Sequence, residues 1–166
     1  RVDVGTPTFA PETIPFQPKE GETAPFYCVL EHLGRRPFGV ANVGNPHAVV
    51  LVEDLSNIDV ANAAQDFRGS TAFGEGVNVG FMERSASDVI QLRVDERGAG
   101  ETLACGSGAC AAVAIGRDLA QLDQEVTVVM PGGKLGVTWP SPNDSIWLSG
   151  PAEKVFDGKI KVNEHQ

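Results

Sequence analysis

The chain holds 166 residues, 42% of them hydrophobic, and carries a formal net charge of −9. That length suits one domain with its own apolar core, and that mix argues against disorder. The acidic balance excludes the cationic footprint that nucleic acid needs, and no run of about 18 apolar residues marks a membrane span.

Residues 1–25 read as an extended crossover, because four prolines fall within the first eighteen positions. The opening "RVDVGTPTFAPETIPF" lacks a basic stretch followed by an apolar one, so it does not read as a secretory leader. It reads instead as mid-chain sequence, which points to a fragment of a longer protein. "FYCVLEHLG" (26–34) opens as a short strand. "RPFGVANVGNPHAVVLVEDL" (36–55) holds a strand, a Gly-Asn-Pro turn and the β-branched run Ala48–Val52, a buried strand. Residues 57–70 are predicted helical, with Ile58, Ala61, Ala64 and Phe67 spaced by three and Gly69 as the stop. "GVNVGFMER" (76–84) and "DVIQLRVDER" (88–97) are predicted as paired strands. "GACAAVAIGRDLAQL" (108–122) is the strongest helix, and its small apolar start predicts enclosure by sheet. Residues 125–140 read as a hairpin turning at Pro-Gly-Gly. "SIWLSG" and "AEKVFDGKIKV" are predicted to add strands, the latter with an Asp-Gly turn. The class is α+β, with antiparallel strands around one apolar helix.

The chemistry-bearing stretch is "ERGAGETLACGSGACAAVA", residues 96–114. It places Cys105 where a glycine-rich turn enters a helix. A helix N-terminus stabilises a thiolate, which predicts a lowered thiol pKa. The amides of Gly106 and Ser107 belong to the unpaired donors of the first turn and can hold a carboxylate. The bland alternative is a small buried hydrophobe, the common fate of a lone cysteine. Cys28 and Cys110 lie in apolar runs and read as core. Three cysteines, an odd and small number, read as reduced thiols in a cytoplasmic setting. Without CxxC spacing or a completing His or Cys pair, no metal is expected. "GSGAC" lacks the lysine of a phosphate loop, and no nucleotide cofactor is expected.

Polar residues at turns complete the candidate set. Asn45 and His47 lie in "GNPH", where a capping turn is an equal reading. Asn78 interrupts the apolar strand "VNVGF" and needs partners if buried. Glu96 and Arg97 are either a solvated pair or a functional one, given that they lead into the cysteine turn.

"GNPHAVVLVEDL", "VNVGFME" and "ERGAGETLACGSGACAA" together resemble the diaminopimelate epimerases, in order and spacing over roughly residues 40–115. The resemblance implies the second half of such an enzyme: a curved, mostly antiparallel sheet wrapped around a central apolar helix. Residues 1–150 would form this C-terminal domain, including the crossover. Residues 151–166 would return to an N-terminal half that carries the other catalytic cysteine. The implied activity is cofactor-independent interconversion of LL- and meso-diaminopimelate, with one thiol abstracting and the other returning a proton. By the same resemblance Cys105 is a catalytic cysteine, and His47 and Glu96 support the two cysteines. Asn45, Asn78, Glu96 and Arg97 contact substrate, and the Gly106 and Ser107 amides hold the reacting carboxylate. The family often has Thr where this chain has Ser107. The partners implied are diaminopimelate and the N-terminal half, with a homodimer left open. Another isomerase of the same fold, or a non-catalytic binding domain, are the competing readings.

Overall fold

The computed structural model describes residues 1–10, 13–69, 73 and 76–160. In chain order the elements are β1 (Val2–Gly5), β2 (Phe26–Leu30), β3 (Gly34–Asn42), β4 (Pro46–Val52), α1 (Val60–Arg68), β5 (Asn78–Arg84), β6 (Val89–Glu96), β7 (Gly100–Thr102), α2 (Gly106–Leu119), β8 (Glu125–Met130), β9 (Gly133–Thr138) and β10 (Ile146–Ser149). Among the described residues the ten strands form one sheet, ordered β1-β10-β9-β8-β6-β5-β4-β3-β2, with β7 hanging off β6. The pairing is mostly antiparallel. Only β4 with β5 and β6 with β8 run parallel. No described helix is long and apolar enough to cross a membrane.

The run Ala48–Val52 is apolar throughout because both faces of its strand are covered. Ala48 and Val50 enter a cluster with Phe38, Val40 and Phe81, while Val49 enters the cluster built on α2. On the first side α1 lies over the sheet, and Phe16, Phe26, Phe38, Phe67 and Phe73 interlock with ring centroids 4.7–6.5 Å apart. On the second side α2 is enclosed, with every residue from Gly108 to Ile115 buried. It packs against β3 to β6 on one flank and β9 and β10 on the other. A helix apolar all round has no solvent face, so the sheet curves about it. Burying each Val or Ile there contributes about 2 kcal/mol.

Several boundaries differ from the expected ones for physical reasons. α1 begins at Val60 because the Asp59 carboxylate accepts the Asn62 amide at 3.1 Å and caps it. Its buried residues are Val60, Ala63, Ala64 and Phe67, whereas Ala61 is exposed. A strict spacing of three drifts off a 3.6-residue turn, which is why Ala61 was misplaced. α2 starts two residues before 108 because Cys105 caps it, and ends at Leu119, where Gln121 takes a positive φ of 52°. The hairpin at 125–140 turns on Pro131 and Gly132, with Met130 opposite Gly133. The paired strands at 76–84 and 88–97 are β5 and β6, with Val79 opposite Asp95. β1, which the extended opening did not distinguish, pairs with β10.

The strands expected in "AEKVFDGKIKV" are not formed. Residues 151–160 run without regular structure and are exposed, including Val155, Phe156 and Ile160. The alternation there has no described surface to bury its apolar side, and an unpaired strand is not stable alone. Lys161 and Val162 lie outside the described residues.

Candidate active site

The sheet gathers the candidate residues at one end. β4 and β5 are parallel and β6 is antiparallel to β5, so the starts of β4 and β5 meet the end of β6. His47 on β4 is in register with Asn78 on β5. Asn78, expected to need partners if buried, has both. Its side-chain amide donates to the Pro46 carbonyl at 3.1 Å, and its Oδ1 accepts the Arg97 backbone N–H at 2.9 Å. It therefore ties the β3–β4 turn to the chain leaving β6. The Arg97 side chain is exposed at the rim, with its stem beside Gly76.

Cys105 sits at the head of α2 in extended geometry, with φ −139° and ψ 106°. Its Sγ accepts the Gly108 amide at 3.4 Å and lies 3.6 Å from the Ser107 hydroxyl. The first helical bond runs from Ala109 N–H to the Cys105 carbonyl. The amides of Gly106 and Ser107 precede it and so have no acceptor within the helix. A Cβ on Gly106 would come within 2.9 Å of Leu148 Cδ2, so the turn passes close to β10. The expected lowering of the thiol pKa is not what this environment gives. Cys105 is buried, and desolvation raises its pKa above the ordinary value. The contacts from Ser107 and Gly108 oppose that rise, while the nearby Glu96 carboxylate adds to it. The helix terminus is present, but burial outweighs it. At rest the sulfur is a thiol, with Glu96 near it.

Glu96 is aimed by a residue that the sequence reading passed over. The Thr102 hydroxyl on β7 donates to Glu96 Oε1 at 2.6 Å. His47 is fully buried. Its Nε2 lies 3.0 Å from Asn45 Oδ1 and 3.1 Å from Ser107 Oγ. Burial pushes its pKa down to about 4, against a smaller upward pull from Glu96, so the ring is neutral near pH 7. Asn45, His47, Ser107 and Cys105 are thus one connected polar set, with Glu96 and the helix amides beside it. Asn78 joins it through the strand ends.

Two further residues hold this end of the sheet and were not among the expected ones. Arg68, the last residue of α1, makes an ion pair of 2.5 Å with Asp95, which is almost fully buried. It also donates to the carbonyls of Val77 at 3.0 Å and Asp95 at 2.8 Å. Those carbonyls immediately precede Asn78 and Glu96. The only signal for this strut is an acidic residue inside the apolar strand "LRVDE", since a buried charge needs a partner. Cys28 is half-buried against the phenylalanine cluster, where burial raises its thiol to about 11. A cavity of about 600 Å³ opens beside that cluster and is lined by Lys19, Tyr27, Cys28 and Phe67, none of them a site residue.

Comparisons with known proteins bear on the family and the fold. The curated diaminopimelate epimerase of Halorhodospira halophila (strain DSM 244 / SL1) is 45% identical over 161 residues, which is 97% of this chain and 55% of that protein. The chain therefore spans about half the length of this curated relative. Among solved structures, a hydroxyproline epimerase from Agrobacterium vitis with bound trans-4-hydroxy-L-proline shares the fold at TM-score 0.54 and 15% identity, over 75% of this chain and 44% of that one. A probable proline racemase from Agrobacterium radiobacter K84 matches at TM-score 0.50 and 17% identity, over 80% and 50%. The family described as diaminopimelate epimerase matches residues 39–155, a span that takes in the whole polar set, and the chain belongs to that family.

Proposed function

We propose that this chain forms the second half of a cofactor-independent epimerase that interconverts LL- and meso-diaminopimelate, and that Cys105 is one of its two acid–base thiols. The observation that carries the reading is the place of Cys105 at the head of α2, with its sulfur in contact with the Ser107 hydroxyl and the Gly108 amide and beside two amides without helical acceptors. Glu96, held by Thr102, takes the thiol proton, and the thiolate so formed takes the α-proton of the substrate. A thiol from the other half returns a proton to the opposite face, so configuration inverts without the substrate turning over. An α-proton beside a carboxylate is very weakly acidic, and charge in the transition state must be met by fixed donors in a closed site. The Gly106 and Ser107 amides hold that carboxylate. Asn45, Asn78 and Arg97 hold the distal end of the substrate, where pairing polar groups reject ligands that lack the second amino-acid centre.

The N-terminal half is the partner this reading requires, and the apolar positions of residues 151–160 are the segment that reaches it. Reduced cysteines, free in the structure, fit a cytoplasmic setting. The test is exchange of the α-proton of diaminopimelate in deuterium oxide. The chain alone should fold and give no turnover, and adding a separately expressed N-terminal half should restore exchange. Robust turnover by the chain alone would overturn the two-thiol reading.

A further inference from the structure

The Ser107 side chain has a place in this site distinct from that of its backbone amide. Its Oγ lies between His47 Nε2 at 3.1 Å and Cys105 Sγ at 3.6 Å. The direction of these bonds follows from the groups around His47. Asn45 Oδ1, 3.0 Å from the same Nε2, can only accept, so Nε2 carries the ring hydrogen. The other ring nitrogen, Nδ1, is buried with no hydrogen-bond partner, where a proton would be an unsatisfied donor. The imidazole is therefore the neutral Nε2–H form, consistent with a pKa depressed to about 4 by burial. Its one ring hydrogen is shared between Asn45 Oδ1 and Ser107 Oγ. Ser107 Oγ thus receives a hydrogen, and its own hydrogen is left to point at the remaining neighbour, the Cys105 sulfur.

We propose that the Ser107 hydroxyl, oriented by neutral His47, is a dedicated donor to the Cys105 thiolate, so that Ser107 is a positioning residue through its side chain as well as its amide. This rests on the functional reading above. When the S–H bond breaks, its proton moves to the Glu96 carboxylate. The Ser107 hydroxyl keeps its own hydrogen and bonds the sulfur together with the Gly108 amide. The thiolate then has two fixed donors at the moment when burial would otherwise penalise its charge. His47 neither gives nor takes a proton in this scheme. It sets the direction of a hydroxyl that could otherwise rotate away.

The test reads thiol ionisation without substrate. Carbamidomethylation rates of Cys105, mapped by peptide mass spectrometry over a pH series, give a midpoint for the parent chain, Ser107→Ala and Ser107→Thr. The midpoint is independent of the plateau rate, so altered access to the sulfur does not distort it. Loss of one hydrogen bond to a charged sulfur should raise the midpoint in Ser107→Ala by about one unit and slow the reaction about tenfold below it. Ser107→Thr, which keeps the hydroxyl, should titrate with the parent. Cys28 and Cys110 in the same digests should keep their rates. An unchanged midpoint in Ser107→Ala, a threonine variant that follows the alanine one, or faster Cys110 modification in Ser107→Ala would each overturn the proposal. A shifted midpoint in a protein whose reassembled halves show no epimerisation would sink the functional reading and leave this one standing. An unchanged midpoint in an active epimerase would do the reverse.

Discussion

The two sides of the sheet are packed by opposite means. The α1 side fills space with volume, five interlocking phenylalanines and few close backbone approaches. The α2 side uses glycine and alanine where side chains close directly on backbone. A Cβ on Gly39 would lie 2.5 Å from Ile115 Cγ2, and one on Gly116 would lie 2.4 Å from Leu122 Cδ1. A cluster of large rings has room to change rotamer, whereas a glycine with a side chain seated on it admits no added atom without a shift. The polar set belongs to the side that cannot adjust. The lesson is that small residues serve position here, and large ones serve stability.

Four measurements would break or sharpen that contrast. The largest effect should come from Cys105→Ala in the reassembled enzyme, with epimerisation reduced about 10³-fold or more and thermal stability near that of the parent. Activity that survives would remove the thiol from the chemistry. Next, Phe67→Ala should cost about 3–5 kcal/mol of unfolding free energy in a urea titration, because it opens a cavity in the aromatic cluster. It should leave the Cys105 ionisation midpoint in place, and a moved midpoint would show that the two sides are not independent.

Acid comes third. His47 is neutral in the fold with a pKa of about 4, against an ordinary value of 6.5, so an unfolded chain binds the proton first. Its contribution to stability is complete above pH 6.5 and is lost as the pH falls towards 4, by about 3 kcal/mol in all. His47→Asn should flatten that part of the stability–pH curve, and an unaltered slope would mean that the imidazole is not held neutral. The smallest effect is expected of Gly39→Ala, about 1–3 kcal/mol from the clash with Ile115. If it instead stabilises the protein, α2 is less confined than its contacts indicate.

Much of this was legible in the residues. The apolar run of Gly108 to Ile115 announced an enclosed helix, because no solvent face can be drawn on it. Asn78 announced a bonded asparagine, because a strand interior does not tolerate a free one. The state of Cys105 was not legible. Sequence shows a helix terminus, which lowers a thiol pKa, but not the burial and the Glu96 contact that reverse the sign. Arg68, Asp95 and Thr102 escaped for a related reason. Each acts through a partner distant in sequence or in another strand, and apart from the acidic residue inside "LRVDE" one-dimensional spacing carries no trace of such a bond. The tail at 151–160 misled in the other direction, since its alternation records a surface to be covered rather than one that the described residues supply.

The candidate residues gather where β4 and β5 begin and β6 ends, and the opposite rim of the sheet carries none of them. The turn between β5 and β6, Ser85 to Asp88, sits on that rim and is mostly exposed. β5 has seven residues, which separates that turn from Asn78 by about 20 Å. It is therefore a natural anchorage for a fluorophore, a surface tether or an inserted epitope. A protein fixed by Ala86 would present the cysteine turn and the strand ends outward.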